Sequence, residues 1–205
     1  MIKVEALTKR YGRRIDALAG LSFSVPQGSI YGFVGPNGAG KTTTLKILAT
    51  LLRPTGGQAW VDGEEVTRHS GRVRELVGYM PDFFGVYDDL TVAEYLDFYA
   101  RSYGIGGARR KRVVDDLLEL VELGHKRNES VEALSRGMKQ RLGLARCLVH
   151  DPEVLLLDEP ASGLDPRARV EMRELLKELR RMNKTILISS HILSELAEMC
   201  TEIGI

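Results

Sequence analysis

The stretch "GFVGPNGAGKTTTLKIL", from Gly32 to Leu48, decides the fold of this 205-residue chain. A short apolar run leads into a loop of the form G-x-x-x-x-G-K-[ST], and a helical pattern follows the loop. Its three glycines let the backbone curl so that successive N–H groups point at one anion. The stretch therefore predicts a strand, a phosphate-binding loop and a helix, in that order.

Nine consecutive residues of this loop are predicted to bind the phosphates of a nucleotide. The Lys41 ammonium adds a positive charge to the backbone N–H groups, and the Thr42 hydroxyl is suited to coordinate Mg²⁺. A glycine-rich turn that merely starts a helix is the alternative, and the strand before the loop argues against it. The predicted set is Gly35, Pro36, Asn37, Gly38, Ala39, Gly40, Lys41, Thr42 and Thr43.

A pair of acidic residues ends the apolar run "VLLLDEP" at Asp158 and Glu159. Open α/β sheets bind ligands beyond the carboxyl ends of their strands. We expect Asp158 to hold Mg²⁺ through its hydration shell, and Glu159 to orient or deprotonate a water that attacks the terminal phosphate. Taken alone, the pair would fit an exposed loop start better. Beside a phosphate loop it predicts hydrolysis.

A third element, "LSRGMKQ", places Ser135 and Gly137 in front of another helical pattern. A capping hydroxyl and free N–H groups at a helix start form an anion site. The helix dipole favours negative charge there by about 0.3 to 1 kcal/mol. An ordinary Ser N-cap is compatible with the same arrangement, because a capped helix start is also an anion site.

Composition restricts the fold and the partners. With 43% hydrophobic and 28% charged residues, the chain is typical of one globular domain with subdomains. The net charge of +1 gives no support for nucleic-acid binding. Cys147 and Cys200 lie in apolar helical patterns without CxxC spacing, which indicates buried thiols. The N-terminus does not resemble a signal peptide, and no run approaches the roughly 18 apolar residues of a membrane span.

The order of apolar runs predicts an α/β fold. Turn-bounded runs near the N-terminus indicate antiparallel strands, whereas "SIYGFVG", "LVGYM", "EVLLLD" and "KTILISS" are typical of buried parallel strands. A long helical stretch, roughly Thr91 to His150 and broken at "YGIGGA", separates the second of these from the third. We therefore predict a P-loop NTPase core with a mostly parallel sheet (1–88 and 151–205), an N-terminal antiparallel β subdomain, and an inserted helical subdomain (about 89–150). Further strands and helices are expected beyond the final "CTEIGI".

The phosphate loop, "LSRGMKQ", "VLLLDEP", "SGLD" and "SSH", in that order, resemble the nucleotide-binding domain of an ABC transporter from Met1 to about Glu202. The resemblance implies that the chain binds and hydrolyses ATP with Mg²⁺, and that two copies sandwich two ATP head-to-tail. In this family the motif written LSGGQ contacts the ATP of the second copy. Ser135 and Gly137 would thus hold the γ-phosphate of that ATP. Arg136 and Met138 depart from the commonest form of the motif, which puts its Gln contact in question.

Four further residues acquire roles from the resemblance. Tyr11 corresponds to the aromatic residue that stacks on adenine, and His191 to the histidine that contacts the γ-phosphate. Asp165 caps the helix that starts at Pro166, and the resemblance adds contacts across the dimer. Asp82 stands where the family usually has a Gln that reaches toward Mg²⁺ and the attacking water. Its carboxylate either takes over this metal-linked role or points elsewhere.

The resemblance also implies a separate transmembrane permease subunit, and so a peripheral place on the cytoplasmic face of the membrane. The segments "GYMPDFFGVYDDLTVAEYLDFY" and "LSRGMKQR" together resemble the sequences of exporters of the drug, lipid or polysaccharide type. The basic run "GARRKR" is either a solvated helix start or a contact with lipid head groups. The permease is expected to dock in a groove bordered by an aromatic-rich cluster, whose alternative role is to anchor the helical subdomain to the core. The cluster consists of Phe83, Phe84, Val86 and Tyr87.

Two other function classes remain open from the sequence. One is a soluble ABC-type ATPase of translation or DNA repair, but such proteins usually have tandem domains or a long coiled coil between the nucleotide motifs. Too few residues separate Lys41 from Asp158 to include a coiled coil. The other is a kinase that transfers a phosphoryl group, which the "LSRGMKQ" element argues against.

Overall fold

The computed structural model describes residues 1–12, 15–82 and 89–204. The chain forms two compact units. The core unit contains Met1–Asp82, Glu153–Ser162 and Leu176–Ile205, and the helical unit contains Phe83–Pro152 and Gly163–Leu175. The predicted docking cluster Phe83, Phe84, Val86 and Tyr87 lies outside the described residues.

Strands dominate the core unit and helices the helical unit. In chain order the elements are β1 (Ile2–Tyr11), β2 (Ile15–Val25), β3 (Ile30–Val34), α1 (Lys41–Leu48), β4 (Gly56–Val61), β5 (Glu64–Glu65), α2 (Ser70–Leu76), β6 (Val77–Met80), α3 (Val92–Ser102), α4 (Gly107–Leu120), α5 (Arg136–Leu148), β7 (Val154–Asp158), α6 (Pro166–Arg181), β8 (Thr185–Ser190), α7 (Leu193–Ala197) and β9 (Glu202–Gly204). Two short 3₁₀ turns, Gly124–Lys126 and Val131–Ala133, precede α5. None of the described helices combines the length and apolar character that a membrane span requires.

The central sheet of the core unit has the strand order β6-β7-β8-β3-β9. Every neighbouring pair in it is parallel, so the carboxyl ends of all five strands lie at one edge. All residues of β7 and β8 are buried, as their continuous apolar runs predict. The second sheet, β2-β1-β4-β5, is antiparallel, as predicted for the N-terminal runs.

Helix α1 packs into the same hydrophobic cluster as the central sheet. Leu45 and Leu48 on the helix are fully buried, and the cluster also contains Leu156 of β7 and Leu187 of β8. This packing fixes the start of α1, where the phosphate loop ends.

The helical unit contains α3, α4, α5 and the first ten residues of α6. Helix α3 begins with a capping box in which the Thr91 side chain accepts the Glu94 N–H and the Glu94 carboxylate accepts the Thr91 N–H. Residues 103–106, with the sequence "YGIG", separate α3 from α4. The predicted break of the helical stretch at "YGIGGA" is therefore confirmed.

Both cysteines have free thiols. Cys147 lies inside α5 and is buried, as predicted, and burial raises the pKa of its thiol. Cys200 follows the short α7 and is only partly buried, so the prediction of a buried thiol is wrong in degree at this position. Burial nevertheless raises the pKa of Cys200 to about 12, which leaves its thiol protonated and weakly reactive at neutral pH.

The buried centre of β7 should dominate the stability of the core unit. Leu156 has 0% exposure, so Leu156→Ala should lower the free energy of unfolding by about 2 to 5 kcal/mol through lost burial and the resulting cavity. Leu51, which is 62% exposed, gives the matched control Leu51→Ala, with an expected change within about 0.5 kcal/mol. Chemical denaturation measures both variants. Equal losses would contradict this description of the core.

Candidate nucleotide site

The phosphate loop connects β3 to α1 and is anchored at both ends. The Gly35 N–H donates to the Ser190 carbonyl at 3.3 Å, which ties the loop to the end of β8. Inside the loop, the Ala39 N–H donates to the Pro36 carbonyl at 3.1 Å. Residues 36–39 are exposed, whereas Gly35 and Gly40 are buried. The middle of the loop is thus exposed to solvent, while its two ends are held in the core unit.

Gly40, directly before α1, can only be glycine for two reasons. Its backbone is left-handed, with φ 90°. A Cβ atom at Gly40 would also lie 2.5 Å from the Ala17 carbonyl oxygen and 2.5 Å from Cδ2 of Leu18. Gly38 is left-handed as well, with φ 84°, but a Cβ there would meet nothing within 4 Å. The close packing of the loop against β2 therefore depends on Gly40.

Lys41 is the first residue of α1 and is 93% buried, with 7% exposure. Its ammonium Nζ donates to the carbonyls of Gly35 at 2.7 Å and Pro36 at 3.2 Å, so it curls back into the loop. The same Nζ lies 3.6 Å from Oε1 of Glu159. A nearly buried cation is stable only with such partners, and they hold it at the phosphate loop.

Glu159 directly follows β7 and has a left-handed backbone, with φ 51°. Its N–H donates to the Ser189 carbonyl at 3.2 Å and to the Ser189 Oγ at 3.1 Å. Its other carboxylate oxygen, Oε2, lies 2.9 Å from Nδ1 of His191. Glu159 is therefore held between Lys41 and His191.

Asp158 is the last residue of β7 and is 1% exposed. Its Oδ1 accepts a hydrogen bond of 2.6 Å from the Ser189 hydroxyl. Ser189 thus contacts both consecutive acidic residues, and the sequence analysis missed it. Two serines at the end of the apolar run "TILISS" were the available signal, but the pairing of Asp158 with Ser189 across β7 and β8 is visible only in the structure.

The oxygen donors at this edge suit Mg²⁺. This ion binds through one or two carboxylates together with substrate phosphates and water, so a protein cage of several carboxylates is not needed. Asp158 and the exposed Thr42 supply hard oxygen donors of this kind. The described residues contain no group of three or more His, Cys, Asp and Glu side chains placed to hold a metal ion. The donor set fits an ion that is shared with phosphates.

Two other predicted site residues lie in the core unit. Asp82 is exposed and follows β6, the strand that pairs with β7, so it lies two residues past the same sheet edge. Tyr11 ends β1 and is 43% exposed, and Nζ of Lys9 lies 5.3 Å from its ring centroid. Both roles stay predictions.

The remaining predicted residues come together in the helical unit. Ser135 Oγ caps α5 by accepting the Met138 N–H at 3.3 Å, and Asp165 Oδ1 caps α6 by accepting the Ala168 N–H at 2.9 Å. A Cβ on Gly137 would lie 2.8 Å from Cβ of Ala168, so the starts of the two helices are in close contact. Ser135, Gly137 and Asp165 line one cavity of about 490 Å³.

The chain resembles known proteins over nearly its whole length. A family model described as "ABC transporter" matches residues 18–162. The chain is 42% identical over 203 residues to Nod factor export ATP-binding protein I of Ralstonia nicotianae, covering 99% of this chain and 63% of that protein. It is 44% identical over 206 residues to bacitracin transport ATP-binding protein BcrA of Bacillus licheniformis, covering 100% of this chain and 66% of that protein. The chain therefore spans about two thirds of the length of these relatives.

Solved structures confirm the predicted α/β fold with its phosphate loop. CbiO1 from Clostridium perfringens, described as part of the ABC transporter complex CbiONQ, superposes with a TM-score of 0.88 at 29% identity, covering 98% of this chain and 82% of that one. A structure described as the ATP-binding subunit of an ABC transporter gives a TM-score of 0.83 at 30% identity, covering 98% and 83%.

The close packing at Gly40 gives a test of the loop. Gly40→Ala should lower the free energy of unfolding by about 1 to 3 kcal/mol more than Gly38→Ala. Both changes place alanine in a left-handed backbone, at a cost of about 1 to 2 kcal/mol, but only the first forces a Cβ against the Ala17 carbonyl. Urea denaturation of the two variants measures the difference. Equal destabilisation would show that the loop does not depend on this contact.

Proposed function

This chain belongs to the ABC transporter family, and from this premise we propose that it binds and hydrolyses ATP to drive a transporter whose membrane-spanning part is a separate subunit. The observation that carries the proposal is the position of the Glu159 carboxylate, 3.6 Å from Lys41 Nζ and 2.9 Å from His191 Nδ1. A phosphate-loop cation, a carboxylate base and an imidazole thus meet at the ligand-binding edge of a parallel sheet.

ATP binding would begin at the phosphate loop. Backbone N–H groups of residues 37, 38 and 40–43 would face the phosphates, and the dipole of α1 favours their negative charge. Lys41 Nζ now donates to the carbonyls of Gly35 and Pro36. In the proposed complex it exchanges these neutral acceptors for the more strongly attracting phosphate oxygens. Tyr11 stacks on the adenine ring.

Glu159 is the proposed general base. Its carboxylate accepts the proton of the water that attacks the γ-phosphate, and the bond between the γ-phosphorus and the bridging oxygen of ADP breaks. Two fixed contacts aim the carboxylate: the Glu159 N–H is held by Ser189, and the side chain is held by the His191 ring. We propose that His191 also contacts the γ-phosphate once ATP is bound.

Mg²⁺ is the proposed second component of the site, and Thr42 and Asp158 would hold it. When bound, the ion neutralises charge on the β- and γ-phosphates and orients them for attack. The hydrogen bond from Ser189 fixes the direction of the Asp158 carboxylate. Asp82, at the neighbouring strand end, is proposed as the third oxygen donor.

The working form is proposed to be a head-to-tail pair of chains around two ATP molecules. The cap of α5 offers the Ser135 hydroxyl and the Gly137 N–H, and the cap of α6 offers Asp165, all on one cavity. These groups would bind the γ-phosphate of the ATP held by the second copy and contact that copy. Closing of the pair on ATP and its release after hydrolysis would supply the motion.

We further propose that this motion is transmitted to a transmembrane permease, which places the chain at the cytoplasmic face of the membrane, and that transport is outward. One relative supports this direction, since it is named for Nod factor export. The proposal of a permease partner is also supported by CbiO1, which is described as part of a transporter complex.

The base assignment predicts the behaviour of Glu159→Gln. The amide keeps the size of the side chain but cannot accept the proton, so ATP should still bind while phosphate release falls by about 10²-fold or more. ATP should then hold two chains together, because the step that separates them is blocked. Phosphate release and size-exclusion chromatography with Mg²⁺ and ATP measure the two effects.

Glu153 is an exposed glutamate just before β7, so Glu153→Gln is the matched control. This substitution should leave both phosphate release and pairing on ATP unchanged. Hydrolysis by Glu159→Gln at the unaltered rate would exclude Glu159 as the base.

The metal-linked role of Asp82 predicts a change in Mg²⁺ dependence. Asp82→Ala should lower the ATPase rate and raise the Mg²⁺ concentration needed for half-maximal activity, because one hard oxygen donor is lost. Asp82→Gln should retain part of the activity through its amide oxygen. Titration of ATPase activity with Mg²⁺ checks both variants, and an unaltered Mg²⁺ dependence in both would remove Asp82 from the site.

A further inference from the structure

Ser189 is the last residue but one of β8 and is fully buried, with 0% exposure. In the sheet it lies opposite Asp158, the last residue of β7. Its hydroxyl lies 2.6 Å from Oδ1 of Asp158 and 3.1 Å from the backbone nitrogen of Glu159. One buried side chain therefore joins the residue proposed to hold Mg²⁺ to the residue proposed as the base.

The directions of these two hydrogen bonds follow from the chemistry of the groups. A serine hydroxyl has one proton to donate, and an ionised carboxylate can only accept, so the proton of Ser189 points to Asp158. The N–H of Glu159 can only donate, so it donates to the oxygen of the same hydroxyl. Hydrogen bonds that follow one another in this way polarise and strengthen each other. A change at one acidic residue is therefore felt at the other.

The carboxylate of Asp158 depends on Ser189 for its direction. It is 1% exposed, and among the residues that the structure describes the Ser189 hydroxyl is the only group that forms a hydrogen bond or ion pair with it. A carboxylate buried beside a single neutral partner is costly unless a cation compensates its charge. Removal of the hydroxyl would leave this carboxylate without the contact that aims it.

The backbone of Glu159 also depends on this contact, but only in part. Its left-handed φ of 51° is uncommon for a residue other than glycine. Its N–H donates to the Ser189 carbonyl at 3.2 Å as well as to the hydroxyl. The carbonyl contact survives any change of the side chain, so the chain should fold without the hydroxyl. The hydroxyl then contributes to the alignment of Glu159 and less to its fold.

We propose that Ser189 is a positioning residue that couples the carboxylate of Asp158 to the base Glu159, so that the two acidic residues act as one unit. This inference rests on the proposed function, which assigns the two roles separately. Ser189 is not a catalytic residue, because it acts only through the acidic residues that it contacts. Loss of its hydroxyl should therefore change the Mg²⁺ dependence of nucleotide binding and the rate of hydrolysis together.

A purely structural role is the competing explanation, and the same strand offers a matched control. Thr185, the first residue of β8, is also fully buried, and its hydroxyl accepts the Gly28 N–H at 2.9 Å at the opposite end of the strand. Thr185→Val removes this hydroxyl and keeps the shape of the side chain. If Ser189 only stabilises the core unit, Ser189→Ala and Thr185→Val should affect binding and hydrolysis alike.

The first measurement is the binding of a fluorescent ATP analogue against Mg²⁺ concentration. Ser189→Ala should raise the Mg²⁺ concentration for half-maximal enhancement of binding about tenfold, the loss expected when a metal-holding carboxylate loses its hydrogen-bond partner. Binding in the presence of EDTA should be unchanged, because the contacts of Lys41 and the phosphate loop are not altered. Thr185→Val should match the unaltered chain in both conditions.

The second measurement is phosphate release at saturating Mg²⁺. Ser189→Ala should lower the rate about tenfold, because Glu159 loses a contact that aligns it. In the Glu159→Gln chain the same change should lower the residual rate by a smaller factor, since the base that Ser189 positions is already gone. Equal factors in the two chains would show that Ser189 does not act through Glu159 and would overturn the coupling.

Ser189→Thr tests whether the hydroxyl is the cause. It should recover most of both losses, and it overturns the inference if it melts like the unaltered chain but behaves like Ser189→Ala. If the added methyl group lowers the thermal melt, Ser189→Cys decides, because it adds no heavy atom and keeps a weak donor. A rate above that of Ser189→Ala then supports the inference, and a rate equal to it overturns the inference.

Two outcomes separate this inference from the proposed function. If Glu159→Gln abolishes phosphate release while Ser189→Ala leaves both the Mg²⁺ dependence and the rate unaltered, the inference alone is overturned. If Glu159→Gln releases phosphate at the unaltered rate, the proposed base fails and the inference fails with it.

Discussion

The carboxylate of Glu159 lies between the Lys41 ammonium and the His191 ring, and the chemistry of the core unit depends on this contact. Lys41 is nearly buried, so its charge needs the compensation that Glu159 and two loop carbonyls provide. Glu159 in turn is fixed by a left-handed backbone and by the hydrogen bonds of its N–H to Ser189. The same interactions that stabilise a buried cation therefore hold the proposed base, Glu159, beside the phosphate loop.

The parallel sheet explains how these residues meet. The phosphate loop follows β3, Glu159 follows β7 and His191 follows β8, and β8 lies between the other two strands. Because neighbouring strands are parallel, the carboxyl ends of the three strands lie at one edge, with the ends of β7 and β3 each one strand spacing from the end of β8. The Ser190 carbonyl joins the end of β8 to the phosphate loop, and the Ser189 hydroxyl joins it to Asp158. Strand β8 is thus the structural link of the site.

Local sequence was sufficient to predict the phosphate loop, the buried parallel strands and the two helix caps, because each depends on residues adjacent in the chain. Ser189 was missed because its role arises from the register of β7 against β8, which joins residues far apart in sequence. The metal-linked role of Asp82 and the stacking of Tyr11 on adenine both involve a bound nucleotide, and they stay predictions from the resemblance.

A crystal structure of the chain with Mg²⁺ and a non-hydrolysable ATP analogue would test the proposed nucleotide site most directly. We predict that Lys41 Nζ leaves the Gly35 and Pro36 carbonyls for the β- and γ-phosphates. Glu159 should stay beside His191, facing the γ-phosphate, and Ser135 and Gly137 of a second copy should complete the site. A nucleotide bound elsewhere, or one bound while Lys41 still donates to the loop carbonyls, would contradict the account.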